Sequence, residues 1–510
     1  MDRPAVDGAR DRPRLGAVFW VSLVLSLGFV LAGLLSPGRF TAVLEATRDL
    51  VVGRIGPIYP VTMLLILVFV VVLATSRYGR IRLGEAGSRP EFGFVSWMAM
   101  LLSAGVGLSF LFWGTAEPLI HYAEPPHGMA PSESEQAARD GLRYSFLFWG
   151  FHAWALYAAV AVAVGHASHR HGRTVLISAT LRPLLRRHAD GPVGTVVDLC
   201  SVFAILFGVA TSLGLGTREL NAGLEHLAGV PDAYGPKIAI IVGLMTVSTI
   251  SAMTGLGRGI RILSLANLTL CGMLLLLVLV LGPTRVILQT LGTGVVDYVR
   301  HLVPMSLATE GGSDRRWEQE WVYFFWAWWI AWAPFVGTFI ARISRGRTIR
   351  QVVTGVVGTS GTVTLVWFSV LGGTALEAER SGAVDVAGVA ADSKSVATLE
   401  VLGTLPSTSL ALVLLVPVLA LLFITSADSA SFMLGSATSG GSMRPPRPLR
   451  LMWSFAAAFA AVLLLTGGAD SLRHAAVIAA VPFTLILVAL CVSLVLDLRS
   501  DRPGHTLRRY

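Results

Sequence analysis

Long apolar runs alternate with short polar stretches along the whole chain. The runs fall at 15–36, 57–76, 94–120, 142–166, 193–217, 236–256, 261–284, 320–341, 351–373, 407–437, 449–466 and 472–496. Each is close to, or above, the roughly 20 apolar residues that carry a helix across the hydrocarbon of a bilayer. A chain segment inside lipid has to satisfy its own backbone polar groups, which favours helices. The pattern therefore predicts an all-α membrane protein with twelve transmembrane helices. Two connections are long. Residues 285–316 include "RVILQTLGTGVVDYVRHLVPMSL", which the periodicity lays as an amphipathic helix on the outer surface. Residues 374–405 are polar and small and read as a flexible loop. No connection is long enough for a soluble domain.

Composition agrees with the pattern. Of 510 residues 54% are hydrophobic and only 14% charged, against about 25% charged in an average soluble protein. A soluble fold would need one core too large for its surface to bury these runs. The net charge of +9 does not point to nucleic acid, because the arginines are confined to alternate loops. Arg3, Arg10, Arg12 and Arg14 precede the first run; Arg77, Arg80, Arg82 and Arg89 follow the second; Arg170, Arg173, Arg182, Arg186 and Arg187 follow the fourth. Arg342, Arg345, Arg347 and Arg350 follow the eighth, Arg444, Arg447 and Arg450 the tenth, and Arg499, Arg502, Arg508 and Arg509 the twelfth. Intervening loops are poorer in arginine and often acidic, as at Glu133, Glu135, Glu377 and Glu379. Arginine excess on alternate loops predicts a cell-membrane protein with both termini cytoplasmic. The first run lacks a clear cleavage site and reads as a retained span. Cys200, Cys271 and Cys491 lie in apolar stretches without metal-ligand spacing and read as packing residues.

Four stretches carry candidate chemistry. In "WVYFFWAWWIAWAPFVGTFIARIS" (321–344) five tryptophans occupy the first twelve positions. At about 100° per residue Trp321, Trp328 and Trp332 fall nearly on one line, with Trp326 and Trp329 continuing the face. An interfacial anchor explains Trp321 and Trp326 better than the deeper Trp328, Trp329 and Trp332. Pro334 and Gly337 weaken the helix further along. In "FLFWGFHAWALY", Trp149, Trp154 and Tyr157 share an arc of roughly 140°. Two rows of rings can form a box for a quaternary ammonium ion, which has no hydrogens to donate but is attracted by ring faces; packing between helices would place the same rings. In "SAGVGLSFLFWGTAEPL", Gly105 and Gly107 interrupt an apolar helix, either as a break lining a cavity or for close packing. In "LLFITSADSASFMLG", Thr425 and Ser426 offer hydroxyl oxygens that suit a hard cation such as sodium, or that simply bond between helices. Asp428 within this run is expected to be functional or paired. His152 reads as making a structural hydrogen bond, and Glu117 as capping or ordering the outer end of its helix.

These stretches together resemble the betaine/carnitine/choline transporter family. The likeness is carried by "FWGTAEPLIHYAEPP" (112–126), Trp149 to Tyr157, "FGVATSLGLG" (207–216), "FFWAWWIAWAPFVGTFIARISRGRTIR" (324–350) and "FITSADSAS" (423–431), and it covers most of the chain. The resemblance implies a twelve-helix carrier with two inverted five-helix repeats, spans 3–7 and 8–12, in the LeuT-type fold. The chain would divide into a cytoplasmic segment 1–14, two peripheral helices in 15–90, a first repeat in 91–284, an outer connection 285–316, a second repeat in 317–496 and a short cytoplasmic tail 497–510, in a homotrimer. Trp149, Trp154, Tyr157 and Trp329 would box the trimethylammonium group, beside the interrupted segment with Gly105, Gly107 and Ser109. Trp328 and Trp332 would line the neighbouring pathway, with Phe335 and Phe339 below. Backbone at Ser103 and Val106, with the hydroxyls of Thr425 and Ser426, would hold sodium as the coupling ion; no other cofactor is expected.

Three departures from the family pattern stand out. The segment reads "GVGLS", with Ser109 where proton-coupled choline carriers place Asp. Leu206 and Ala210 stand where two threonines form a second cation site in some members. The basic tail is short, so strong osmotic activation is not expected. The reading is sodium-coupled uptake of a betaine-, choline- or carnitine-type compound by alternating access. Sodium-independent exchange is the alternative. An intramembrane serine hydrolase built on Ser360 of "GTSG" (358–361) is a remote one.

Overall fold

A computed structural model of the chain describes residues 15–500 apart from 86, 108, 254–257, 308–314 and 467. The expected segment 1–14, the tail beyond Ser500 and part of the 285–316 connection lie outside the described residues. Those described are helical almost throughout, the β structure among them being an isolated bridge between Arg82 and Thr348.

Among the described residues each of the twelve apolar runs lies largely on helix, and ten helices are long and apolar enough to cross a membrane. The third run is a broken pair, Phe94–Gly105 and Phe110–Ala123, bent by 62°; counted as one span it brings the number to eleven. The sixth run lies on Tyr234–Met253, whose strongly apolar part, Tyr234–Ser248, is shorter. A further helix, Pro37–Ile55, joins the first two spans and was not evident from the run pattern.

Burial ranks the helices. The most apolar window of Arg315–Ile343 is 100% buried and that of Glu135–Arg170 94%, against 22% for Ala17–Leu35 and for Arg261–Leu281. The two segments rich in tryptophan are therefore the centre of the bundle, and the first span is peripheral. Small residues let the central helices meet: a Cβ on Gly337 would lie 2.4 Å from Val160 Cβ. The helix Tyr323–Ile343 continues through Pro334, which lacks the N–H for one intrahelical hydrogen bond, and Gly337 serves the crossing with Val160.

Two expectations change. Trp326 is packed in the core and not an interfacial anchor. Trp326 is fully buried against Phe148 and His152, and Trp321 packs on His121 and Trp113. The stretch 374–405 is not a flexible loop. It continues the helix to Arg380 and then forms Ala387–Asp392 and Lys394–Gly403. Glu379 Oε2 accepts the Val386 and Ala387 N–H groups at 2.7 and 3.0 Å, which fixes the turn between them. Lys394 is buried over the Trp113 ring, with its ammonium 4.7 Å from the centroid, and Glu219 Oε1 lies 4.0 Å away. Burial pushes the Lys394 ammonium below its ordinary pKa, and the Glu219 carboxylate opposes this. Thr284–Ser306 is a helix with Leu288, Val296, Val299 and Val303 exposed and Ile287 and Tyr298 buried, as the periodicity of that connection predicts.

Candidate ammonium box and cation site

The helix Glu135–Trp149 ends at Gly150, whose φ of −84° and ψ of −132° break the helix before Phe151–Gly165 begins. That break sets Trp149 on one side of the tryptophan helix and Trp154 with Tyr157 further along it. Trp149 meets Trp329 edge-to-face at 5.0 Å between centroids, Trp329 meets Tyr157 at 6.1 Å, and Tyr157 meets Trp154 at 5.8 Å. The three interplanar angles lie between 81° and 86°. The four rings predicted from two separate segments thus form one continuous set. All four are buried, in a region where water does not compete for the ring faces.

Hydrogen bonds hold the indoles in place. Trp149 Nε1–H donates to Glu117 Oε2 at 2.6 Å, Trp154 Nε1–H to Thr364 Oγ1 at 3.1 Å, and Trp329 Nε1–H to the Phe148 carbonyl at 2.7 Å. Trp328 stacks on Trp329 at 5.7 Å and donates to Ser212 Oγ at 3.3 Å. Trp332 donates to the Gly208 carbonyl at 3.1 Å and lies 5.6 Å from Phe335. Phe339 is buried one turn below. A bonded indole is fixed in orientation, so its face is presented without the entropy cost of ordering a free ring.

The glycines make room for these rings. A Cβ on Gly105 would lie 2.8 Å from the Trp154 ring, and one on Gly107 3.2 Å from the Trp332 ring. The helix stops at Gly105; Val106 is extended at φ −112°, ψ 114°, and helix resumes at Ser109. The glycines therefore serve both readings, a break and a close approach. The Ser109 side chain lies outside the described residues.

The break also frees carbonyl groups. Ser426 Oγ lies 3.4 Å from the Ser103 carbonyl oxygen and 3.3 Å from that of Val106. Three of the four predicted sodium ligands therefore converge. Thr425 Oγ1 instead donates to the Leu421 carbonyl of its own helix at 2.7 Å, and would have to rotate to join them. Leu206 and Ala210 are buried and bring no side-chain oxygen.

Sequence reasoning missed several supports. Glu117, expected to order an outer helix end, is fully buried and holds Trp149; an acid in an apolar helix was the available signal. Asn267 donates to Ser103 Oγ at 3.3 Å, and a lone amide in an apolar span was a signal of the same kind. Thr364 is one of many threonines and carried none. Two readings of polar residues agree with the structure: His152 Nε2 lies 2.8 Å from Ser306 Oγ, and Asp428 pairs with Arg450 at 2.6 Å. The three cysteines are half-buried and free. Ser360 is buried, and its hydroxyl donates to the Gly355 carbonyl at 3.4 Å.

Comparison with known proteins extends this geometry. The sequence profile of the betaine/carnitine/choline family transporters matches residues 17–503. The chain belongs to this family. It is 40% identical to the glycine betaine transporter OpuD of Bacillus subtilis over 492 residues, 96% of this chain and 95% of that one. It is 37% identical to an ectoine/hydroxyectoine transporter of Virgibacillus pantothenticus, covering 93% of this chain and 95% of that one. A glycine betaine transporter of Vibrio parahaemolyticus is 34% identical, over 95% and 94%. As a member of the betaine/carnitine/choline family the chain is a membrane transporter and not an enzyme, which removes the serine hydrolase reading.

Proposed function

We propose that the chain takes up a betaine-type quaternary ammonium compound by sodium-coupled alternating access. The observation that carries this reading is the ring set of Trp149, Trp329, Tyr157 and Trp154. A trimethylammonium group has no N–H to give a carboxylate, and each ring face contributes about 0.5–2 kcal/mol once water is excluded. The restarted helix at Ser109 supports a zwitterion in particular, since the N-terminal end of a helix carries partial positive charge that suits a carboxylate. The names of the relatives, glycine betaine and ectoine transporters, favour zwitterions over choline.

The convergence of Ser103 O, Val106 O and Ser426 Oγ supports a sodium ion between the broken span and the Thr408–Thr438 helix. Sodium there would order the break and favour the form that admits substrate. Coupling of this kind requires each ligand to prefer the same state. An inside-negative potential adds about 2.3 kcal/mol per charge per 100 mV. The family resemblance supports twelve spans in two inverted repeats, both termini cytoplasmic in the cell membrane, and a homotrimer.

Proteoliposomes test the proposal. An inward sodium gradient should drive accumulation of labelled glycine betaine above equilibrium, and replacing sodium by potassium should abolish it. Uptake that needs internal substrate and ignores sodium would establish exchange instead. No binding of any quaternary ammonium compound or ectoine would sink the box itself.

A further inference from the structure

The arginine-rich end of the bundle holds a second cluster that the transport site does not use. The helix Phe151–Gly165 does not finish in an α turn. It runs into a π turn, His166–Arg170, closed by the His171 N–H donating to the His166 carbonyl at 3.3 Å. Residues five apart would be about 140° apart around an α-helix and come closer to one side in the wider π geometry. The turn thus brings the His166 and His171 rings to 4.8 Å between centroids. Single π turns recur at functional sites.

A carboxylate from the far end of the chain meets them. Asp497, near the end of the helix Gly468–Ser500, places Oδ2 3.1 Å from His166 Nδ1 and 3.8 Å from His171 Nε2. One ligand atom from each of the three lies within 4.8 Å of the other two. His166 is fully buried and Asp497 nearly so.

We propose that His166, His171 and Asp497 form a binding site for a divalent transition-metal ion of the zinc class. Zinc at about 2.0–2.1 Å from its ligands in tetrahedral array sets them about 3.3 Å apart. The separations of 3.1 and 3.8 Å from Asp497 Oδ2 bracket this. Two imidazoles and a carboxylate suit zinc, cobalt or nickel. Calcium takes six to eight oxygens and magnesium an octahedral oxygen shell, which this set does not supply. The metal would replace the proton shared by His166 and Asp497, so that binding releases a proton. Arg173 orients the carboxylate, donating from Nη1 and Nη2 to Oδ2 and Oδ1 at 3.1 Å each. An ionised carboxylate has about four lone-pair directions; Arg173 takes one on each oxygen, and the metal would take the Oδ2 direction that now faces His166, ligating carboxylates being commonly held by such outer partners. The guanidinium charge weakens the site, so the metal is an exchangeable ligand rather than a permanent one. When bound it braces the end of one central helix against the end of the last.

The test uses the full-length, tag-free chain in nanodiscs, with cobalt(II) as the probe. Titration should give a saturable visible d–d band at one ion per chain, bleached by zinc and untouched by magnesium. His171→Ala and Asp497→Asn should each weaken cobalt binding at least tenfold. His188→Ala, an exposed histidine at the same end, should leave it unchanged. Zinc should also raise the melting temperature of the unaltered chain where magnesium does not, a readout that needs no variant to fold. No saturable band, a band undiminished in both variants, or one lost equally in His188→Ala would overturn the site.

Discussion

Gly105→Ala asks whether the position of Trp154 sets the affinity of the ring box. The added Cβ would lie 2.8 Å from Trp154 Cη2 and Cζ3, where ordinary contact begins at 3.4 Å, so the ring has to retreat by 3.4 − 2.8 = 0.6 Å. Trp154 cannot retreat freely. It is buried, it packs edge-on to Tyr157 at 5.8 Å, and its Nε1–H is tied to Thr364 Oγ1 at 3.1 Å. Overpacking of this kind costs about 1–3 kcal/mol, and loss of the hydrogen bond adds about 1 kcal/mol. With about 1.4 kcal/mol per factor of ten, the resulting sum of about 2–4 kcal/mol, if all of it is lost from binding, should raise the Kd for glycine betaine from about thirtyfold to several hundredfold, measured by calorimetry or tryptophan fluorescence on the purified protein. Trp154→Phe in the Gly105→Ala background removes the ring edge that the methyl meets and should recover part of the loss. Wild-type affinity in Gly105→Ala would refute the reasoning. So would a double variant weaker than Gly105→Ala alone, since the contact would then not be the cause.

Three further outcomes follow from the same geometry. Glu117→Gln keeps an acceptor for the Trp149 indole and should weaken betaine binding a few-fold at most; Glu117→Ala leaves a buried N–H unpaired at about 1–3 kcal/mol and should weaken it more, with both read as Kd at fixed sodium. Ser426→Ala should raise the sodium concentration for half-maximal uptake far more than the betaine concentration, and Asn267→Ala, which frees Ser103 Oγ, should shift it in the same direction by less; an unchanged sodium requirement in Ser426→Ala would rule out the proposed cation site. Asp428→Asn removes the carboxylate that meets the buried Arg450 at 2.6 Å and should destabilise the protein, by up to about 3–5 kcal/mol; replacing both residues by apolar ones should cost less, seen in thermal unfolding.

Much was legible before any coordinates. The apolar runs are largely helical among the described residues because lipid leaves the backbone no other partner than itself, and run length is a one-dimensional property; ten to eleven of them are long and apolar enough to span. The rings were legible as candidates, with packing the open alternative, and the family resemblance named the four; the helical spacing itself joins Trp154 and Tyr157, because the helix breaks at Gly150 between Trp149 and Trp154. Polarity misled at 374–405, where small polar residues fold into two helices, the first capped by Glu379 and the second by Ser393. A local reading could not see that the capping carboxylate lies seven residues earlier.

Helical periodicity specifies which side chains share a face, and so the amino-acid order laid out most of the long apolar helices and the row of rings along 321–332. It did not settle what those faces meet. Trp149 bonds to Glu117 from 32 positions away, Trp154 to Thr364 from 210, and Ser426 to carbonyls more than 300 positions earlier. Such pairings depend on how helices cross, and crossing depends on the fit of small residues such as Gly105 and Gly337 against particular side chains of distant helices. That fit is a property of three-dimensional packing, and no spacing along the chain encodes it.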